Sequence, residues 1–113
     1  MNIKEDFSIV MAKGDYGQGI LFKIKSDIIE SEDIIRIKIN QDEQTIITKE
    51  FTDLEPSEED KYEVNFVLTE EDSNLLDVGY YEWGFEHERN GVLLNDLLIN
   101  NEFTNRFEVK RGI

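Results

Sequence analysis

The sequence predicts an all-β fold: an antiparallel two-sheet sandwich of about seven or eight short strands, with one domain spanning residues 1–113. Two observations lead to this reading. Apolar residues recur with period two in successive short runs, the spacing of half-buried strands. The runs are separated by Gly-, Asn- and Asp-containing stretches of turn chemistry. Composition bounds the answer: 39% hydrophobic and 11% aromatic residues in a chain of 113 supply one core and argue against disorder despite the high charge.

Four runs carry the alternation most clearly. Gly19 to Lys25 puts Ile20, Phe22 and Ile24 on one face. Asp33 to Asn40 does the same with Ile35, Ile37 and Ile39, leaving Arg36 and Lys38 opposite. Lys61 to Leu68 turns Tyr62, Val64, Phe66 and Leu68 inward, and Gly79 to Arg89 turns Tyr81, Trp83 and Phe85 inward with Glu82 and Glu86 outward. Weaker strands fit Phe7 to Ala12, Thr45 to Phe51, Val92 to Ile99 and Phe107 to Lys110. Leu21 and Ile34 fall on outward faces.

The turns follow from residue chemistry. Lys13-Gly14-Asp15-Tyr16-Gly17 separates the first two strands and Asn40-Gln41-Asp42-Glu43 the third and fourth. Asn90-Gly91 is the strongest hairpin signal, because a type I′ turn needs positive φ at both central residues. A two-residue turn there would set Phe85 opposite Asp96 on the inner side, so a bulge or longer loop is expected. Thr69 to Leu76 breaks the rhythm: an N-cap threonine followed by acids predicts one short helical turn. The lone proline, Pro56, lies in a loop between strands, where it removes no ladder hydrogen bond.

Charge narrows the function classes. With 26 acidic against 12 basic residues, the net charge of −14 repels phosphate backbones and anionic membranes, so direct nucleic-acid or membrane binding is not expected. From Glu50 to Asp72 ten acids face one base, Lys61. That run reads either as a solvated rim or as an acidic docking surface on Glu50, Asp53, Glu55, Glu58, Glu59 and Asp60. There is no cysteine, hence neither a disulfide nor a thiolate metal site. No apolar run approaches the roughly 18 residues of a membrane span, and the Met1 to Asp6 start lacks a signal peptide's apolar core.

Candidate chemistry is sparse. His87 is the only histidine; with no second imidazole and no marked nucleophile it reads as an edge-of-sheet residue. Glu82 and Glu86 would lie about 13 Å apart on one strand face, too far for glycosidase work. Glu86 and Glu88 would lie about 7 Å apart, but beside a convex hairpin tip. Asp27, Glu30, Glu32 and Asp33, and separately Glu58, Glu59 and Asp60, cluster acids that suit calcium by type but lack EF-hand spacing. The glycines of Gly14 to Gly19 lead into a strand, not a helix, so they read as a turn and not a phosphate cradle. No catalytic residue, cofactor or metal site is predicted.

Leu76-Asp77-Val78-Gly79-Tyr80-Tyr81-Glu82-Trp83 is the most informative stretch. An Asp-x-Gly-x-Tyr run entering an aromatic strand resembles the corner of immunoglobulin-like sandwiches, where a tyrosine hydroxyl bonds back to the preceding loop. By that resemblance Asp77, Gly79 and Tyr81 form the corner, and Trp83 fills the inter-sheet space in place of the second disulfide cysteine.

A wider resemblance rests on Ile9-Val10-Met11-Ala12-Lys13-Gly14-Asp15, Ile20 to Ile24, Leu68-Thr69-Glu70-Glu71-Asp72, Leu76, Gly79-Tyr80-Tyr81, the Asn90-Gly91 hairpin and Phe107-Glu108-Val109-Lys110-Arg111. Taken in order, these pieces resemble the N-terminal domain of phage baseplate upper proteins and related prophage domains of immunoglobulin-like fold. The resemblance implies a non-catalytic virion structural module, found in the virion or in host cytoplasm during assembly, that anchors to tail or baseplate proteins and can trimerise. The family's receptor-facing or coiled segments have no counterpart here, and the acidity is stronger, which points to an accessory or connector protein. The apolar stretch Val92, Leu93, Leu94, Leu97, Leu98 and Ile99 is the candidate partner-binding patch. Two other classes stay open: an acidic phage-encoded inhibitor that mimics nucleic acid, and a carbohydrate-binding module using Tyr80 or Tyr16 as a sugar platform.

Overall fold

The computed structural model describes residues 1–25, 27–56, 61–94 and 105–112. In chain order the elements are β1 (Asn2–Ile3), β2 (Ile9–Ala12), β3 (Gly19–Lys25), β4 (Ile34–Gln41), β5 (Gln44–Phe51), β6 (Lys61–Val67), α1 (Glu70–Asn74), β7 (Gly79–Arg89), β8 (Val92–Leu94) and β9 (Asn105–Lys110). The larger sheet runs β1-β2-β9-β7-β4-β5, with β8 also paired to β7; β3 and β6 form the smaller sheet. Two sheets sharing one core make the fold an all-β sandwich.

The predicted alternation sets the core. Ile35, Ile37 and Ile39 of β4 are fully buried and belong to one hydrophobic core with the buried Tyr62, Val64 and Phe66 of β6. Trp83 and Phe85 of β7 meet Phe22 of β3 across the gap, with ring centroids 5.7 and 4.9 Å apart. Each aliphatic side chain withdrawn from water in this way contributes roughly 1.5–3 kcal/mol. Leu21 is exposed, as its parity requires, and Ile34 is half-buried.

The helical turn forms where Thr69 caps it. The Thr69 hydroxyl accepts from the Asp72 amide while the Asp72 carboxylate accepts from the Thr69 amide, a reciprocal capping box. Asp72 also pairs with Lys49, tying the connection between sheets to β5. Burial disfavours the Asp72 carboxylate, but the Lys49 and Thr69 hydrogen bonds outweigh it and hold its pKa below the usual value.

Two expectations are corrected. The sandwich is not wholly antiparallel, because β2 pairs with β9 in parallel through Ile9↔Phe107 and Met11↔Val109. Residue alternation specifies faces, not partners or directions, so strands from opposite ends of the chain pair as the closing geometry demands. The Asn90-Gly91 connection carries neither a bulge nor a longer loop: Arg89 pairs directly with Val92 and His87 with Leu94, with φ of 51° and 79° at the two turn residues. The Phe85–Asp96 juxtaposition behind the bulge expectation involves Asp96, which lies outside the described residues. Asp42 and Glu43, with φ of 52° and 66°, make the same kind of turn between β4 and β5. The irregularity lies instead at Ile39/Asn40, where the β4–β5 register shifts.

Candidate functional site

The corner forms as its sequence suggests. The Tyr81 hydroxyl donates to the Asp77 carbonyl at 2.9 Å, and burial pushes the phenol's pKa up. Gly79 occupies φ of 154°, a conformation side chains seldom adopt. Lys13 reaches the same loop, donating to the Leu76 carbonyl at 2.8 Å. Trp83 is fully buried between the sheets, and its Nε1 donates at 2.8 Å to the carbonyl of Phe7, itself held at φ of 65°. The corner therefore positions β7 against both the loop that precedes it and the chain's first loop.

At the other end of β7 lies a buried polar cluster. His87 is fully buried and Asp33 is 1% exposed, in place of the expected sheet-edge histidine. His87 sits inside the larger sheet because β7 is flanked there by β4 through Ile35 and by β8 through Leu94. Its Nε2 donates to Asp33 Oδ2 at 2.6 Å. Arg89 grips both oxygens of the same carboxylate, Nε to Oδ1 and Nη2 to Oδ2, each at 2.9 Å, and Nη2 also donates to the Ile28 carbonyl. The Glu30 amide donates a further bond to Asp33 at 2.9 Å. Burial alone would raise the Asp33 pKa; the Arg89, Glu30 and His87 hydrogen bonds more than reverse this and hold it well below the carboxylate range. This arrangement fastens the base of the β7–β8 hairpin to the loop before β4.

The cluster draws Asp33 out of the acidic run Asp27, Glu30, Glu32 and Asp33. The Asp33 carboxylate turns inward to Arg89 and His87.

Above that base, Val92 is 59% and Leu93 51% exposed, while Leu94 is half-buried against His87. The alternation sends Leu93 to the opposite sheet face from Val92 and Leu94, so the hairpin presents an apolar tip and not a single greasy face. The remaining candidates in this patch, Leu97, Leu98 and Ile99, lie outside the described residues.

On the outer face of the larger sheet, Arg36 of β4 bonds to Glu50 of β5 at 2.9 Å and to Glu86 and Glu88 of β7 at 2.9 and 3.2 Å. Lys38 adds a second bond to Glu86 at 2.9 Å. Glu86 is thus not the solvated outward residue its parity suggested; it is 9% exposed under two cations. Burial opposes its ionisation, but Lys38 and Arg36 prevail and keep its pKa low, so Glu86 carries no proton to donate at neutral pH. The Glu86–Glu88 spacing is used by Arg36, which bridges the two carboxylates.

The acidic docking set divides. Glu50 is committed to Arg36, Asp53 and Glu55 are exposed, and Glu58, Glu59 and Asp60 lie outside the described residues. The exposed aromatics Tyr16 and Tyr80 do not form a row: Tyr16 lies beside Met1, Met11 and Leu68, whereas Tyr80 carries the Arg106 guanidinium 5.4 Å above its ring.

No match to the chain was found among models of known families, curated proteins or solved structures. Sequence reasoning missed the Asp33–His87–Arg89 cluster. The signal available was the parity that places His87 with Phe85 and Trp83 on the inward face, where an imidazole needs a buried partner.

Proposed function

We propose that the chain is a non-catalytic protein-binding module that docks through the tip of the β7–β8 hairpin, and that its setting is a phage or prophage tail or baseplate. One observation carries the docking surface: Val92 and Leu93 stand exposed on a hairpin whose base is locked by a buried carboxylate, an imidazole and a guanidinium. A rigid hairpin presenting apolar side chains loses little conformational entropy on association, which favours binding by a preformed element. The phage setting rests on the ordered resemblance of the sequence pieces.

The test is a tagged pull-down from lysate of the producing bacterium after prophage induction, eluted in salt steps, with wild type and the Val92→Ser/Leu93→Ser double variant side by side. Tail or baseplate proteins retained at high salt by wild type and lost with the variant support the reading, since apolar contacts resist screening. A basic DNA-handling protein released at moderate salt, and indifferent to the variant, would replace it with nucleic-acid mimicry. Equal capture of virion proteins by both forms would remove the hairpin from the interface.

A further inference from the structure

We propose that the outer edge of β5 accepts a basic, extended segment of a partner protein as an added strand. This goes beyond docking through the hairpin, involves a different strand and stands or falls separately.

Strand β5 pairs with β4 along one side only, and among the described residues no backbone group bonds to its other side. Its eight residues, Gln44–Phe51, contain no proline or glycine, and Thr45-Ile46-Ile47-Thr48 is a run of β-branched residues. Natural sheets usually blunt such an edge with a projecting lysine or another charge. Here both charges of the strand are drawn away: Lys49 pairs with Asp72 and Glu50 with Arg36. Thr45 and Thr48, both exposed, are left flanking an open row of amides and carbonyls.

Charge selects the occupant. Asp42 and Glu43 stand at one end of β5, and Asp53 and Glu55 lie just beyond the other, all exposed. A second copy pairing antiparallel along this edge would bring Asp42 and Glu43 of each chain toward Asp53 and Glu55 of the other, between molecules that each carry −14. That repulsion disfavours self-association, and the same acids attract a strand bearing lysine or arginine.

The probe is a capped peptide of about eight residues alternating valine and lysine, matched to the length of β5 and titrated into ¹⁵N-labelled protein at low salt. The expected result is binding that shifts the Gln44–Phe51 amides and slows their hydrogen exchange. A peptide with glutamate for lysine should bind at least about tenfold more weakly, and one N-methylated at every amide should not bind. Thr45→Lys/Thr48→Lys, which restores gatekeeping charges, should weaken binding at least about fivefold, whereas Val92→Ser/Leu93→Ser should leave it unchanged. The proposal is overturned if the N-methylated peptide binds as well as its parent, if the shifts centre on Glu63, Glu70 and Glu71 instead of β5, or if no binding is seen at about 1 mM peptide.

Discussion

Replacing Asp33 with asparagine tests whether the buried cluster holds the hairpin. The ionised carboxylate accepts from Arg89 Nε and Nη2, His87 Nε2 and the Glu30 amide, at 2.6 to 2.9 Å. Asparagine keeps one acceptor oxygen; its amide group would oppose an N–H of Arg89 or His87, leaving the guanidinium only the half-exposed Glu30 carboxylate, 3.4 Å from Nε, as a counter-charge. Breaking a buried ion pair from one side costs about 3–5 kcal/mol; the partial exposure of Arg89 sets the expectation at the lower end, about 3 kcal/mol. At roughly 2.1 cal/mol/K per residue, unfolding 113 residues carries about 240 cal/mol/K, so the melting temperature should fall by about 12 °C. Trp83, the only tryptophan and fully buried, reports unfolding by its fluorescence. The pH dependence gives a second readout. The folded pKa of Asp33 lies below its unfolded value, so its stabilisation is complete above the unfolded value, near pH 4, and is lost as pH falls toward the folded one. Wild type should therefore lose stability between about pH 5 and pH 2 more steeply than Asp33→Asn. A drop under about 4 °C with an unchanged acid slope would refute the reasoning.

Three further substitutions probe the corner, the outer face and the hairpin turn. Tyr81→Phe removes the bond to the Asp77 carbonyl and should cost about 1 kcal/mol, or about 4 °C, by thermal melt, with the core otherwise intact. Arg36→Met leaves Glu50, Glu86 and Glu88 facing one another and should destabilise by about 2 kcal/mol at pH 7. Because Arg36 helps hold the Glu86 pKa low against burial, the deficit should be present above the unfolded glutamate value and close as pH falls below about 4, as urea titrations across pH would show. Gly91→Ala forces a side chain into φ of 79° and should cost about 1 kcal/mol by urea unfolding at an unchanged m-value.

Much of the fold was legible in the chain. Ile35, Ile37 and Ile39 of β4, Tyr62 and Phe66 of β6, and Tyr81, Trp83 and Phe85 of β7 fall on the buried face their alternation assigns, because a strand exposes its two faces with a period of two. Thr69 to Asp72 announced a helix cap, and the Asp77-to-Tyr81 spacing announced a corner, since both are local hydrogen bonds closed within a few residues. The candidate site was less legible. Val92 and Leu93 stand exposed, but Leu94 turns in toward His87, which depends on β8 closing against β7 by a two-residue turn.

What the sequence by itself determined, then, is the inside and outside of each strand, the places where the chain must turn, and a net charge of −14 that restricts what can approach it. What only the tertiary structure decided is which charges meet. Asp33 finds His87 and Arg89 more than fifty positions away, and Arg36 finds Glu86 fifty positions away, while β2 finds β9 in parallel from the other end of the chain. The physical reason is that alternation is a property of neighbouring residues, whereas an ion pair or a strand partner requires two distant segments to be brought within about 3–5 Å, and that distance is set by how the sheets close.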